Sequence, residues 1–144
     1  MMLIGEISHT IDPKGRYIVP ARFRDTLGEK FYITRGLDHC LFVYTAEAWQ
    51  IRLEELKRLS VTKASQRRFL RKFLAGAIEA EVDKQGRVLI PPSLREHARI
   101  ERDIITIGMV DRLEIWDTAT WQAYDSDGED DYEAVAEELA DFRL

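Results

Sequence analysis

Apolar side chains recur along the chain in short runs broken by turn-forming residues, and the run from Gly5 to Ile11 reads as a first strand. It ends at Asp12-Pro13-Lys14-Gly15, where an Asp side chain can close its own turn and a glycine accepts positive φ. Tyr17-Ile18-Val19 is a second apolar strand, stopped by Pro20, and proline suits the opening of a short helix. Phe23 and Leu27, four residues apart, give that helix one apolar face. Two β-rich runs follow, 32–36 and 41–44, joined by a loop at 36–40. The spacing then changes to three and four. Trp49, Leu53, Leu56 and Leu59 mark an amphipathic helix that Thr45 can cap. Phe69, Leu70, Phe73 and Leu74 mark a second helix, from Ala64 to Ala75, closed by Gly76.

Beyond Gly76 the opening pattern returns, with a strand from Ala77 to Val82, a turn at Asp83-Lys84-Gln85-Gly86, the strand Val88-Leu89-Ile90, and Pro91. At an offset of 71, Asp12 matches Asp83, Gly15 matches Gly86, Arg16 matches Arg87, Pro20 matches Pro91 and Arg24 matches Arg95. With one residue inserted, 32–36 lies over 104–108, 41–44 over 113–116, and Trp49-Gln50 over Trp121-Gln122. The chain is therefore a duplication, with a loop expected at 108–112. Asp117 can cap a helical turn around Trp121, the stretch from Asp125 to Asp131 reads as a solvated linker, and Tyr132, Val135, Leu139 and Phe142 mark a last amphipathic helix.

The expected organisation is α+β: unit 1 over 5–47, a helical spacer over 48–75, unit 2 over 76–119, and a helical turn, acidic linker and helix over 120–144. A unit of roughly 45 residues is close to the size at which a lone core becomes marginal. The two units are thus expected to pair about a pseudo-two-fold axis, each completing the other's sheet.

Net charge is −5, which at first argues against a nucleic-acid partner. Its distribution changes that view. From Asp125 to Leu144 nine acids face one base, so the remainder carries 20 Lys and Arg against 17 Asp and Glu, a net of +3. Charges farther apart than about 8–10 Å are largely screened in cell-like salt, so a basic face can coexist with an acidic tail. No apolar run reaches the roughly 18–20 residues that span a bilayer. No signal-peptide pattern opens the chain, and Cys40 is the single cysteine, which together suggest a soluble, cytoplasmic protein.

Candidate chemistry centres on the two turns. Arg16 and Arg87 each follow a glycine, and Lys14, Arg22 and Arg24 lie beside the first. Arginine offers a rigid fork suited to phosphate or to guanine, and lysine a point charge. The plainer reading is an ion pair between Arg16 and Asp12 that only locks the turn. Asp12 and Asp83 read as turn caps, and Gly15 and Gly86 as structural glycines. With Gln85 and Ser93 where unit 1 has Gly-adjacent Lys14 and Arg22 as neighbours, the second turn looks the better suited to holding the fold together. Lys63, Arg67, Arg68, Arg71 and Lys72 make the second spacer helix basic, and no acid occurs between Lys57 and Ile78. That run is a solvated face, a DNA-backbone contact or an interface for an acidic neighbour. Enzyme readings find no support: His9, His39 and His97 occur in unrelated contexts, no Cys or His spacing suits zinc, and no phosphate-loop pattern is present. No catalytic residue, metal, cofactor or small-molecule substrate is expected, and Trp49, Trp116 and Trp121 read as core.

Two Asp-x-x-Gly-Arg turns, each followed by an apolar strand and Pro-x-x-hydrophobic-Arg, resemble the tandem SpoVT-AbrB, or swapped-hairpin barrel, arrangement of the MraZ family of bacterial transcriptional regulators of the division and cell-wall gene cluster. The likeness covers the chain from Gly5 through the Trp121 region. The first turn keeps Asp12-Pro13-Lys14-Gly15-Arg16, whereas the second replaces the Pro-Lys pair. The resemblance implies two units fused into a swapped-hairpin double barrel and sequence-specific binding of double-stranded DNA at promoter repeats. It further implies a ring-like homo-oligomer and a nucleoid-associated location. The rival reading, drawn from the acidic tail and the modest charge of the body, is a ring-forming protein-interaction module without specific DNA binding.

Overall fold

Strand exchange between the two units organises the molecule. In the computed structural model, which describes residues 2–127, 131–139 and 141, β1 (Leu3–Thr10) and β2 (Arg16–Ile18) flank the first turn. They are followed by α1 (Ala21–Leu27) and the hairpin of β3 (Phe31–Arg35) and β4 (Leu41–Thr45). After α2 (Ala46–Leu56) and α3 (Ala64–Gly76), the second unit repeats the order: β5 (Ile78–Glu79), β6 (Arg87–Leu89), α4 (Pro92–His97), β7 (Asp103–Val110) and β8 (Arg112–Asp117). Helices α5 (Thr118–Asp127) and α6 (Asp131–Glu138) follow.

The large sheet runs β1-β7-β8-β4-β3-β5, with antiparallel pairing throughout. Its order is symmetric about the β8–β4 junction. The first strand of unit 1 lies on the hairpin of unit 2, and the first strand of unit 2 on the hairpin of unit 1. The second strands, β2 and β6, leave this sheet and pair with each other as a separate two-stranded ribbon. Each unit thus lacks a complete sheet without the other.

The sheet separates two cores. On one side Ile33, Leu41, Val43, Leu113 and Ile115 pack against Tyr17 and Val88 of the ribbon and against Phe23, Leu27 and Leu94 of α1 and α4. On the other, Phe42, Tyr44 and Trp116 meet Trp49 of α2 and Phe73 of α3. β4 is buried on both faces, which explains its unbroken apolar run Leu41-Phe42-Val43-Tyr44. Each fully buried large side chain contributes roughly 1.5–3 kcal/mol relative to exposure. Polar pins cross between layers: the Thr34 hydroxyl donates to the Phe73 carbonyl at 2.6 Å, and Thr106 shares hydrogen bonds of 2.8 Å with the Tyr17 hydroxyl and with His9 Nε2. Burial holds the Tyr17 phenol well above its usual pKa and lowers that of His9, so both favour their neutral forms at neutral pH.

Helix α2 begins where Thr45 was expected to cap it, the hydroxyl accepting from the Ala48 N–H at 3.0 Å, but it ends at Leu56 and leaves Leu59 in the following turn. Other boundaries moved for reasons visible in the pairing. The expected strand from Ala77 to Val82 reduces to two residues plus an isolated bridge from Val82 to Val88. Here the chain must leave β3 quickly to reach the ribbon, and Val82, counterpart of buried Ile11, is 44% exposed. The loop expected at 108–112 is strand instead: β7 extends to Val110 to match all eight residues of β1, and the reversal tightens to Asp111. Gly108 faces Gly5 across this pair. The linker expected from Asp125 to Asp131 is helical at its described ends, because Trp121 and Tyr124 stack on each other, pack edge-on and tilted against Trp116, and carry α5 through to Asp127. The expected apolar stripe Tyr132, Val135 and Leu139 is exposed, with Leu139 one residue past the end of α6, and Phe142 lies outside the described residues. Among the described residues no helix is long and apolar enough to cross a membrane.

A Cβ at Gly108 would sit 2.4 Å from the Ile4 nitrogen and 2.5 Å from the Leu3 carbonyl carbon, both backbone atoms of the exchanged strand. Gly108→Ala should therefore destabilise the protein by about 1–3 kcal/mol. Urea unfolding at fixed protomer concentration measures this, and an unchanged midpoint would contradict the tight β1–β7 approach.

Candidate nucleic-acid interface

The β2–β6 ribbon places the two arginine turns in one small structure. Arg16 opposes Leu89, Tyr17 opposes Val88, and Ile18 opposes Arg87. Directly opposed residues share a face, and residues two apart on a strand do as well. Tyr17 and Val88 point inward and are buried. The outward face is therefore Arg16, Ile18, Arg87 and Leu89, with Ile18 and Leu89 40% and 56% exposed. The two turns stand at opposite ends of the ribbon, related by the pseudo-two-fold.

Each turn is closed in the same way. Asp12 Oδ1 accepts from the Lys14 and Arg16 backbone N–H groups at 2.9 and 2.8 Å, and Oδ2 accepts from Arg16 Nε at 2.6 Å. Asp83 repeats the set with Gln85 and Arg87 at 2.8, 2.9 and 2.8 Å. Gly15 and Gly86 take φ of 84° and 79°, a region costly for any residue with a Cβ. The ion pair of the plainer reading is thus present in both turns. It engages only Nε of each arginine, so the Nη edge of the fork carries no hydrogen bond to a described residue, and the two side chains are part-exposed. A carboxylate that fixes one edge of a guanidinium orients the other for a ligand.

The remaining expected residues fall in different places. Lys14 is exposed at the tip of the first turn. Arg24 sends Nε to the Val19 carbonyl at 3.0 Å, and its repeat partner Arg95 does the same to the Ile90 carbonyl at 2.9 Å, so both brace the strand that precedes their helix. Arg22 lies over Gly5 of β1, with its Nη1 2.8 Å from where a Cβ would be, and is not drawn into the ribbon face. The two turns are unequal, but not in the direction the residue types suggested. The first is the better packed: Gly15 is buried beneath the Arg95 guanidinium, and the Ile90 N–H donates to the Gly15 carbonyl at 2.9 Å. Gly86 has open space around it, beside a cavity of about 780 Å³ lined by Arg24, Phe31 and Asp83.

Ile18 and Leu89 are not legible as site residues in the sequence. A three-residue apolar strand has too few positions to reveal a period, so its one outward side chain is indistinguishable from core. The histidines and Cys40 take up structural posts: the Cys40 thiol is buried and donates to the Leu37 carbonyl at 3.1 Å, and burial pushes its pKa up, away from thiolate chemistry.

The family model described as "MraZ protein, putative antitoxin-like" matches this chain twice, over residues 2–72 and 73–143. The chain belongs to the MraZ family. Among the relatives it resembles are proteins named transcriptional regulator MraZ from Caldanaerobacter subterraneus subsp. tengcongensis, 54% identical, and from Thermoanaerobacter sp. strain X514, 53% identical. One from Moorella thermoacetica is 49% identical. Each similarity covers 99% of this chain and 100% of the relative. The two matches of the MraZ model meet at 72/73, within the last turn of α3 and shortly before β5, where the repeated order of elements begins again.

Both turn carboxyls are held below the ordinary aspartate range. The largest cause is the backbone N–H of the following arginine; burial opposes it, and the arginine side chain and the N–H two residues on add to it. A folded pKa below the unfolded value, about 3.9 for aspartate, gives stabilisation complete above that value and lost as pH falls through the lower folded one. Urea midpoints followed from about pH 6 to about pH 3 should show this loss in the wild-type chain. They should show a shallower decline in the Asp12→Asn, Asp83→Asn variant, and parallel curves for the two proteins would rule the turns out as its source.

Proposed function

We propose that this chain is a DNA-binding transcriptional regulator that grips the double helix through the outward face of the β2–β6 ribbon. The observation that carries the reading is that Arg16 and Arg87 share the outward ribbon face, placed diagonally across it, each with Nε held by an aspartate and no described hydrogen bond on Nη. The major groove, about 12 Å wide, admits a two-stranded antiparallel ribbon. Arginine forks suit guanine edges or phosphates, and the apolar Ile18 and Leu89 suit thymine methyl groups. Lys14 at the turn tip, with Arg22 and Arg24 on the flank through their free Nη groups, supplies phosphate contacts that position the ribbon without reading sequence. The naming of close relatives as transcriptional regulators supports the same role.

The finer parts of the reading follow the family. The exchange of first strands and the shared ribbon favour a swapped-hairpin double barrel. A pseudo-two-fold ribbon offers one short recognition surface per chain, so a ring-like homo-oligomer would present several in succession to repeated promoter elements. A cytoplasmic, nucleoid-associated regulator without cofactor, metal or small-molecule substrate is consistent with this chemistry.

Binding to a duplex carrying the promoter of the protein's own gene, measured by fluorescence anisotropy across salt, tests the proposal. Affinity should fall linearly on a log–log plot as salt rises, through release of counterions. Arg16→Ala and Arg87→Ala should each weaken binding by about tenfold or more, as expected for loss of a base- or phosphate-gripping arginine. Circular dichroism confirms that each variant remains folded. Affinity untouched by both changes would remove the ribbon from the interface, and no salt-sensitive binding at all would favour the protein-interaction reading.

A further inference from the structure

Two surfaces of this chain stand open, and their chemistry matches. The first is a groove of about 580 Å³ between α2, α3 and the β4–β8 part of the sheet. Its floor is aromatic, with Phe42, Tyr44, Phe69 and Phe73, and cations stand over it. The Arg112 guanidinium lies 4.5 Å from the centre of the Phe42 ring, and Arg52 lies 5.9 Å from that of Tyr44. These two arginines are balanced locally by Glu55, Asp111 and Glu114. The uncompensated charge comes from Arg35 and from Lys72 on the rim, continuing along α3 as Arg68 and Arg71, where no described acid forms an ion pair with them. The second surface is α6. Tyr132 and Val135, with Leu139 just past the helix end, form a stripe at three- and four-residue spacing and are 77%, 47% and 49% exposed. Asp131, Glu133, Glu137 and Glu138 flank that stripe.

An exposed apolar stripe between carboxylates fits an aromatic floor beneath a basic rim. α6 does not line the groove of its own chain, so both surfaces remain open on one molecule. We propose that α6 of one copy docks into the α2–α3 groove of a neighbouring copy, making a head-to-tail contact between subunits. Tyr132, Val135 and Leu139 enter the aromatic floor, and the acids of α6 meet Arg35, Lys72 and the α3 arginines. Because the two surfaces differ, the contact is heterologous, and repeating it generates a ring if the rotation closes. The inference rests on the self-association part of the functional reading and names the contact that produces it. It also gives the acidic tail and the basic helix one joint role, which leaves the ribbon on the far side of the sheet free for DNA.

Sedimentation velocity on the full chain and two variants tests the proposal. One variant changes the stripe, Tyr132→Ser, Val135→Ser and Leu139→Ser, at exposed positions; the other changes the groove, Phe69→Asp and Lys72→Glu, with circular dichroism confirming the fold of each. The wild-type chain should sediment as an oligomer, and either variant alone should associate more weakly by about tenfold or more, as expected when apolar anchors leave an interface. An equimolar mixture should recover a one-to-one complex, because each variant keeps the half the other has lost. A monomeric wild-type chain would overturn both the self-association reading and this contact. An oligomer whose mass is unchanged in both variants would overturn the contact alone, as would weakened variants that fail to complement, the pattern expected if α6 folds back on its own chain.

Discussion

Exchange of the first strands is the constraint on which the rest of the molecule depends. β1 is satisfied only by β7 and β5 only by β3, while β2 finds its partner in β6. An isolated unit would leave a hairpin with an open edge and a three-residue strand with no ladder, and a pair of strands is marginal in water. Duplication within one chain removes that difficulty, since the partner is always present at high effective concentration. The shared ribbon is a direct product of the exchange.

That origin explains why the candidate site lies where two repeats meet and not within either. The Asp-x-x-Gly-Arg turn serves the fold first: the carboxylate collects two backbone N–H groups and one guanidinium edge, and the glycine supplies the positive φ that the reversal requires. The same bonds leave the second guanidinium edge without a described partner. A residue with a structural bond need not be lost to recognition, because an arginine carries donors on more than one edge. The contrast drawn from sequence between a turn-locking ion pair and a ligand-facing arginine is therefore not a choice between exclusive alternatives. Arg24 and Arg95 show the other balance: their Nε groups brace strand carbonyls, and they stand behind the ribbon face.

Much of this was legible in the residues. The repeat at an offset of 71 exposed the pseudo-symmetry, the change in spacing from two to three and four located α2 and α3, and Thr45 marked its cap. What could not be read was set by pairing between distant segments. The lengthening of β7 to Val110 follows from the eight residues of β1, roughly a hundred positions earlier, and no local signal near Gly108 carries that information. Glycine there suggested a turn, yet it answers a close backbone approach across the sheet, the other situation in which a missing Cβ is useful. The shortening of β5 and the inward packing of the first turn under Arg95 have the same cause. They depend on which unit lies over which, and residue types within the turns do not encode it.

The charge distribution gains its sense from this geometry. A protein of net charge −5 can face DNA only if its acids are kept away from the contact, and nine of them lie beyond Tyr124. The ribbon and the α2–α3 surface occupy opposite faces of the six-stranded sheet, one above the core of Tyr17 and Val88 and the other above that of Trp49 and Phe73. A packed layer on a sheet lies about 10 Å from it, already a Debye length in cell-like salt, so surfaces on opposite sides of the sheet are largely screened from each other. Segregation across the sheet gives one chain two separate basic surfaces, the ribbon arginines on one face and α3 on the other. A basic helix placed on the ribbon side would have competed with it for the same acids; the fold places α3 where it cannot.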